Sequence, residues 1–483
     1  MGRADILYDG FKKNLGIEAT SCQDRAFGSI AAFVTSSDSD IMVLSGFAGT
    51  GKTTLLATVV NTLTQFGTPC VLLAPTGRAA KVLSGFAGMP AYTIHKHIYR
   101  QKSVSDDGFG LFSLSHNKSA RTLFVVDEAS LIGTSQEGGS PFGSGNLLDD
   151  LIQFVRAGAE CKLLLVGDKA QLPPVGLDES PALDATIEGY GGIVRAEMTT
   201  IVRQKKESGI LKNATRVREL LFEDGVSMMS RGDLGLITNG YDDIVRIGGG
   251  EVLEALTESY SRYGEDETMI VCRSNKMANR YNQGIRSMIQ YKEDRLVRGD
   301  RLMIVKNSYL VEGKWEETDY IANGDVAELQ KISSYEERYG LEFATARLSF
   351  PDYNDNVLEA KICLDTLISD SPSLSYEKQN ALYQGVSEDY AHIRSKRKRY
   401  DAIKIDPYYS ALQIKYGYAA TCHKAQGGQW KCVFIDNPIW QDELDRDMLR
   451  WLYTALTRAT EKVYLVNFSD ECFGAASREA KIR

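Results

Sequence analysis

The sequence predicts an α/β chain built on parallel sheets with helices on both faces. Three observations predict it. A phosphate-binding loop, Gly46-x4-Gly51-Lys52-Thr53, stands between the apolar run Ile41-Met42-Val43-Leu44 and a helical segment through Thr54-Leu55-Leu56-Ala57. Near-continuous apolar runs recur at Cys70–Ala74, Leu123–Val126 and Leu163–Val166, with helical patterns between several of them, as buried parallel strands require. The C-terminal third repeats the alternation without a second phosphate loop. Function in such folds sits at the C-terminal ends of the strands, so the polar residues there carry the argument.

Composition narrows the class. At 483 residues the chain is too long for one core and suggests several domains. Apolar content of 43% and charged content of 25% are ordinary for a globular protein, and no apolar run approaches membrane-spanning length. The start, Met1-Gly2-Arg3-Ala4-Asp5, lacks a signal pattern. Eight scattered cysteines without a Cys-x-x-Cys pair argue against zinc and against a disulfide scaffold, so a reducing, intracellular (cytoplasmic) setting is expected. A net charge of −8 means that any nucleic-acid site must be a local basic groove.

The loop Gly46-Phe47-Ala48-Gly49-Thr50-Gly51-Lys52-Thr53-Thr54 predicts nucleoside triphosphate binding. Its glycines let backbone N–H groups turn toward phosphate oxygens, and the helix N-terminus adds partial positive charge. Lys52 reaches the β/γ-phosphates, and the Thr53 hydroxyl holds Mg²⁺. After the Leu123–Val126 run, Asp127-Glu128 supplies a metal-holding carboxylate and a base that polarises the attacking water. After the Leu163–Val166 run comes Gly167-Asp168-Lys169-Ala170-Gln171-Leu172-Pro173-Pro174. Two readings of it stand: Gln171 senses the γ-phosphate or its water, or the segment is a proline-stiffened turn. In the C-terminal third, arginines at loop ends suggest a cleft that closes on one nucleotide, with Arg458 or Arg203 as an arginine finger.

The order of these segments resembles superfamily 1 helicases of the 5′→3′ subgroup, the RecD-like, Dda-like and Pif-type enzymes, over most of residues 18–467. The resemblance implies two RecA-like domains, 1–195 and then 196–327 with 406–483, with ATP between them and single-stranded DNA across both. It implies that Gln23 reads adenine. Pro75, Thr76 and Arg78, in Ala74-Pro75-Thr76-Gly77-Arg78, and His95 would grip single-stranded DNA, as would Thr421, His423, Lys424 and Gln426 in the motif that couples both domains. Arg203 and Arg458 match the two γ-phosphate arginines. The implied cofactors are ATP and Mg²⁺. The implied partners are single-stranded DNA, duplex with a 5′ tail, and single-strand-binding, replication or repair proteins, around a monomeric core. Gly428-Gln429-Trp430 departs from the pattern of relatives.

Two insertions are expected. In the first, about 98–121, Gly108–Leu114 suits a short hairpin; Phe109 and Phe112 either form a strand-splitting pin or pack back on the domain. The second, about 328–405, would be a small SH3-like β-barrel by resemblance. It ends in Arg394-Ser395-Lys396-Arg397-Lys398-Arg399, whose five cations suit either a phosphate backbone or a solvated face. Gly138–Gly145 reads as a flexible loop. The expected activity is ATP-driven 5′→3′ translocation with duplex unwinding. The alternatives are a single-strand translocase or RNA remodeller, and a regulatory P-loop ATPase.

Overall fold

The computed structural model describes residues 2–104, 110–133, 143–201, 208–223, 229–309, 320–321, 323–353 and 355–473. The chain divides into two compact units, Met1–Ser103 with Gly110–Lys206, and Val104–Phe109 with Glu207–Arg483.

In the first unit six parallel strands follow the spatial order Ala91–Thr93, Cys70–Ala74, Leu123–Val126, Lys162–Gly167, Ile41–Gly46, Ile193–Met198. The phosphate-loop strand Ile41–Gly46 is buried at every position, as a strand covered on both faces must be. One face packs on Ser21–Thr35, Lys52–Gln65 and Gly77–Ala87 through residues such as Phe27, Leu56, Val59 and Leu83. The other is covered by Leu147–Arg156 through Leu148, Leu151 and Val155. The register sets Leu73 beside Val126, Val126 beside Leu165, and Leu44 beside Val166. Ala74, Asp127, Gly167 and Gly46 therefore leave the sheet along one edge.

The second unit holds a five-stranded parallel sheet in the order Ala419–Thr421, Thr268–Cys272, Trp430–Asp436, Ala459–Val466, Ile244–Ile247. A closed five-stranded barrel is inserted in it, formed by Arg301–Ile304, Val326–Arg338, Leu341–Phe350, Asn356–Cys363 and Leu412–Tyr416. Its strands start before and end after the expected interval 328–405. Closure requires this, because the flanking strands pair antiparallel, Leu302 with Tyr416, and so remove both sheet edges. Helices Tyr376–Asp389 and Lys396–Ile405 intervene before the last barrel strand.

Strands Tyr99–Val104 and Gly110–Leu114 form a two-stranded hairpin. The expected Gly138–Gly145 loop lies outside the described residues as far as 142. Beyond it, Gly143 and Gly145 turn with positive φ, and the Asp150 carboxylate accepts from Ser144 N at 3.0 Å and from the Tyr99 hydroxyl at 2.6 Å. All eight cysteines are unpaired. Among the described residues no helix is long and apolar enough to cross a membrane, and no group of three or more His, Cys, Asp or Glu side chains could hold a metal ion.

Candidate functional site

The phosphate loop follows its strand directly. Gly49 (φ +79°) and Gly51 (φ +83°) take the left-handed backbone that the curl demands. Gly46 is sterically required as well: a Cβ there would meet Met198 Cβ at 3.0 Å and Thr50 Oγ1 at 3.1 Å. Lys52 opens the helix Lys52–Gln65, and its ammonium donates to Gly46 O at 2.8 Å and Phe47 O at 3.0 Å. Those carbonyls hold the cation over the loop's concavity, where a β/γ-phosphate would replace them. Ala48 and Thr53 are half-buried, Thr50 is buried, and Thr54 is exposed. Gln23 is buried at the start of Ser21–Thr35. Its Oε1 accepts from Thr20 N at 3.0 Å and its Nε2 reaches Thr50 O at 3.5 Å, so it ties the helix cap to the loop.

Asp127 sits at the end of Leu123–Val126, its N–H bonded to Leu73 O at 3.1 Å. Burial first, then the neighbouring Glu128 charge, push its carboxyl up to about 7, against the Glu128 N–H and the Lys52 charge. Such a group suits a divalent cation, which would hold it ionised. Glu128 adopts φ +53°, ψ +38°, a costly backbone for a non-glycine residue, at the cap of the turn Ala129–Leu131. The strain turns the chain sharply at the strand end. Gln171 is buried in the turn after Lys162–Gly167, where Asp168 Oδ1 accepts from Ala170 N at 2.9 Å.

The expected DNA-contacting residues of this unit have local structural tasks too. Pro75, Thr76 and Arg78 are half-buried, and the Thr76 hydroxyl caps Gly77–Ala87 by accepting from Ala79 N at 3.2 Å. His95 lies in the short helix Ile94–Ile98, 5.7 Å from the Tyr99 ring, and burial lowers its pKa. Phe112 is half-buried against the core cluster of Ile98, Phe124 and Leu148, and its carbonyl accepts from Gly143 N at 2.9 Å. Its ring thus packs back on the domain. Phe109 and Arg203 lie outside the described residues.

In the second unit Thr421 pairs with Cys272 at the sheet edge and begins the helix Cys422–Ala425. His423 is exposed and Gln426 buried. Lys424 donates to Pro372 O at 3.1 Å, and burial, then the charge of Lys415, lowers its pKa to about 8. Lys415 is itself buried, bonded to Thr366 O at 3.2 Å and to Ser369 O, and also lowered to about 8. Asn279 Nδ2 holds Ile368 O and Ser369 O at 3.0 Å each. Residues 366–372 are therefore a strap fastened by three side chains. Sequence reasoning missed Lys415 and Asn279; the visible signal was a lysine inside the apolar run Leu412–Tyr416. Arg458 is buried. Its guanidinium donates to Thr454 O (3.1 Å), Gly428 O (3.2 Å) and Thr457 Oγ1 (3.2 Å), which pins the start of the Gly428-Gln429-Trp430 loop.

Two parallel-sheet domains, the first with a complete phosphate loop and, on the strand next but one, an acidic pair at the same sheet edge, define a tandem RecA-like P-loop architecture. Comparison with known proteins narrows this. An AAA domain family matches residues 23–233, and the UvrD-like helicase C-terminal domain matches residues 416–466. The chain is 24% identical over 455 residues to the ATP-dependent RecD2 DNA helicase of Deinococcus radiodurans, covering 92% of this chain and 49% of that protein. It is 24% identical over 447 residues to the ATP-dependent DNA helicase dda of Enterobacteria phage T4, covering 88% and 94%. The chain thus spans about half the length of the first relative and nearly all of the second. A crystal structure of Pif1 helicase from Bacteroides in complex with ADP-AlF3 and ssDNA superposes with a TM-score of 0.47 at 14% identity, over 96% of this chain and 97% of that one. The chain thus carries matches to the AAA and UvrD-like helicase C-terminal domains and is similar over nearly its whole length to the RecD2 and Dda helicases.

Proposed function

We propose that this chain is an ATP-driven motor that moves 5′→3′ along single-stranded DNA and unwinds duplex carrying a 5′ tail. The observation that carries it is the alignment of Gly46, Ala74, Asp127 and Gly167 along one sheet edge. That alignment brings the phosphate loop, the acidic pair and the Gln171 turn to one side of the first domain. Lys52 exchanges its loop carbonyls for phosphate oxygens. Glu128 orients and deprotonates the attacking water, and Gln171 reports the γ-phosphate. Thr53 and Asp127 hold Mg²⁺, which when bound neutralises charge developing on the phosphates. Arg458, and Arg203 by resemblance, stabilise the same charge.

Pro75, Thr76, Arg78 and His95 of the first domain, and Thr421, His423, Lys424 and Gln426 of the second, grip the strand in alternation as ATP binds and is spent. The names of the two relatives, both ATP-dependent DNA helicases, support DNA as the track. A second reading, a single-strand translocase with little unwinding, draws on Phe112, whose ring packs on the core instead of standing at a fork. Strand displacement with 5′- and 3′-tailed DNA and RNA duplexes tests both. Displacement of 5′-tailed DNA supports the motor. DNA-stimulated ATPase without displacement supports the second reading, and ATPase indifferent to DNA overturns both.

A further inference from the structure

We propose that a cavity at the C-terminal edge of the second sheet, lined by Trp440, Arg273, Ser274 and Gln441, receives an unpaired base of the strand that the Thr421–Gln426 loop grips. The cavity is about 450 Å³, within the range of small-ligand sites, and lies wholly in the second unit. Its position follows from register. Val271 pairs with Ile435 and Cys272 with Thr421, so Arg273, Cys422 and Asp436 leave the sheet on neighbouring strands, each about 4.8 Å from the next. A strand held by the Thr421–Gln426 loop passes beside this cavity, and the inference rests on that part of the proposed function.

Trp440 is 69% exposed, although an indole is costly to leave in water. Its loop is firmly held. Asn437 Oδ1 accepts from Ile439 N at 3.0 Å, Asn437 Nδ2 donates to Asn467 O at 3.1 Å, Arg273 Nη1 donates to Pro438 O at 3.0 Å, and Ile439 is buried. Beyond the indole, Arg231 N bonds Asp442 O at 2.8 Å. The ring is therefore an exposed platform on a preorganised loop, as base stacking requires.

The lining selects a base over a phosphate. Glu443 and Asp445 also face the cavity, and Asp445 is engaged in capping Arg446–Leu456 through Met448 N at 2.6 Å. Two carboxylates disfavour an anion beside the indole. Gln441, Ser274 and the Arg273 guanidinium offer donors and an acceptor to a base edge. The sugar-phosphate backbone then stays with Lys424, outside the cavity.

Stacking on one aromatic ring sets the expected effect at about 5- to 150-fold in affinity. The full chain is titrated with oligo(dT), and with an abasic oligomer of equal length that keeps every phosphate. Trp440→Ala should weaken oligo(dT) binding by that factor with an unchanged salt slope, because the indole neutralises no phosphate. Trp440→Phe should keep the affinity within about threefold, since a second aromatic face still stacks. In a Trp315→Phe background, which leaves only the buried Trp430 and Trp451 beside Trp440, Trp440→Phe should also remove most of the fluorescence quench that oligo(dT) causes. The wild type should lose affinity for the abasic oligomer, and Trp440→Ala should lose less. Basal ATPase and thermal unfolding should match the wild type in both variants. Equal oligo(dT) affinity in Trp440→Ala and wild type, or equal losses on abasic DNA, overturns the base pocket alone. If the wild type binds neither oligomer, the motor reading fails with it.

Discussion

Replacing Arg458 tests both the brace its geometry forms and the arginine-finger role proposed for it. Its guanidinium makes three hydrogen bonds inside the second domain, to Thr454 O, Gly428 O and Thr457 Oγ1. In Arg458→Ala, Thr454 O keeps the Thr457 hydroxyl at 2.9 Å, whereas Gly428 O loses its charged donor in a buried site. One buried carbonyl left unmet costs about 1–3 kcal/mol, and the vacated volume adds to it, for a total of about 2–4 kcal/mol. As an arginine finger the same side chain must exchange at least one of these bonds for a γ-phosphate oxygen, and its loss should slow turnover by about 10³–10⁵. Steady-state ATPase with single-stranded DNA, nucleotide titration and urea unfolding read the two effects separately. Expected are a collapsed turnover, nearly normal nucleotide affinity and a destabilised second domain. Arg458→Lys keeps the charge but cannot make three bonds at once, so it should recover part of the stability and little of the rate. A turnover within tenfold of wild type would refute the finger. Unchanged unfolding in Arg458→Ala would refute the brace.

Lys52→Ala should abolish hydrolysis, and Glu128→Gln should bind ATP yet not turn over; wild-type ATPase rates in either would overturn the site. Lys424 titrates near 8 in the free protein, and a bound phosphate favours its charged form, so single-strand affinity should fall as pH rises above about 8, with Lys424→Arg removing the dependence. For folding, Lys424 and Lys415 both titrate below the ordinary 10.5, so the unfolded chain holds the extra protons and stability should rise between about pH 8 and 10.5 in a denaturation series. Phe112→Ala should destabilise the first domain by about 2–4 kcal/mol by urea unfolding, whereas Phe109→Ala should leave stability intact; slowed unwinding of a 5′-tailed duplex by Phe109→Ala at normal ATPase would make Phe109 the pin. Replacing Lys396, Arg397, Lys398 and Arg399 together by Ala should flatten the salt dependence of single-strand binding by about 0.7 for each phosphate that these cations neutralise, and an unchanged slope would mark a solvated face.

What was legible in the sequence is what local patterning encodes. A phosphate loop needs its glycines, lysine and hydroxyl at adjacent positions, so Gly46–Thr54 could be read in one dimension. The buried parallel strands read as apolar runs because both faces are covered, and Asp127 follows such a run directly, with Gln171 in the turn after another. The strand Ile193–Met198 was missed: Arg195 and Glu197 interrupt it, and only its pairing with Ile41–Gly46 makes it a strand. The barrel's extent was missed for a related reason. Leu302 meets Tyr416 across more than a hundred residues, a closure that no local signal carries.

The electrostatics of the site were decided by the tertiary structure alone. Asp127 is pushed to about 7 because burial strips its water while Glu128 stays beside it, and Lys424 falls to about 8 because the strap 366–372 and Lys415 close around it. Neither environment follows from residue type. The same holds for Phe112, in a hairpin strand, and Trp440, in a loop after a sheet strand. Folding packs one ring half-buried against the core and leaves the other in water, because a side chain's exposure depends on which distant segments pack over it.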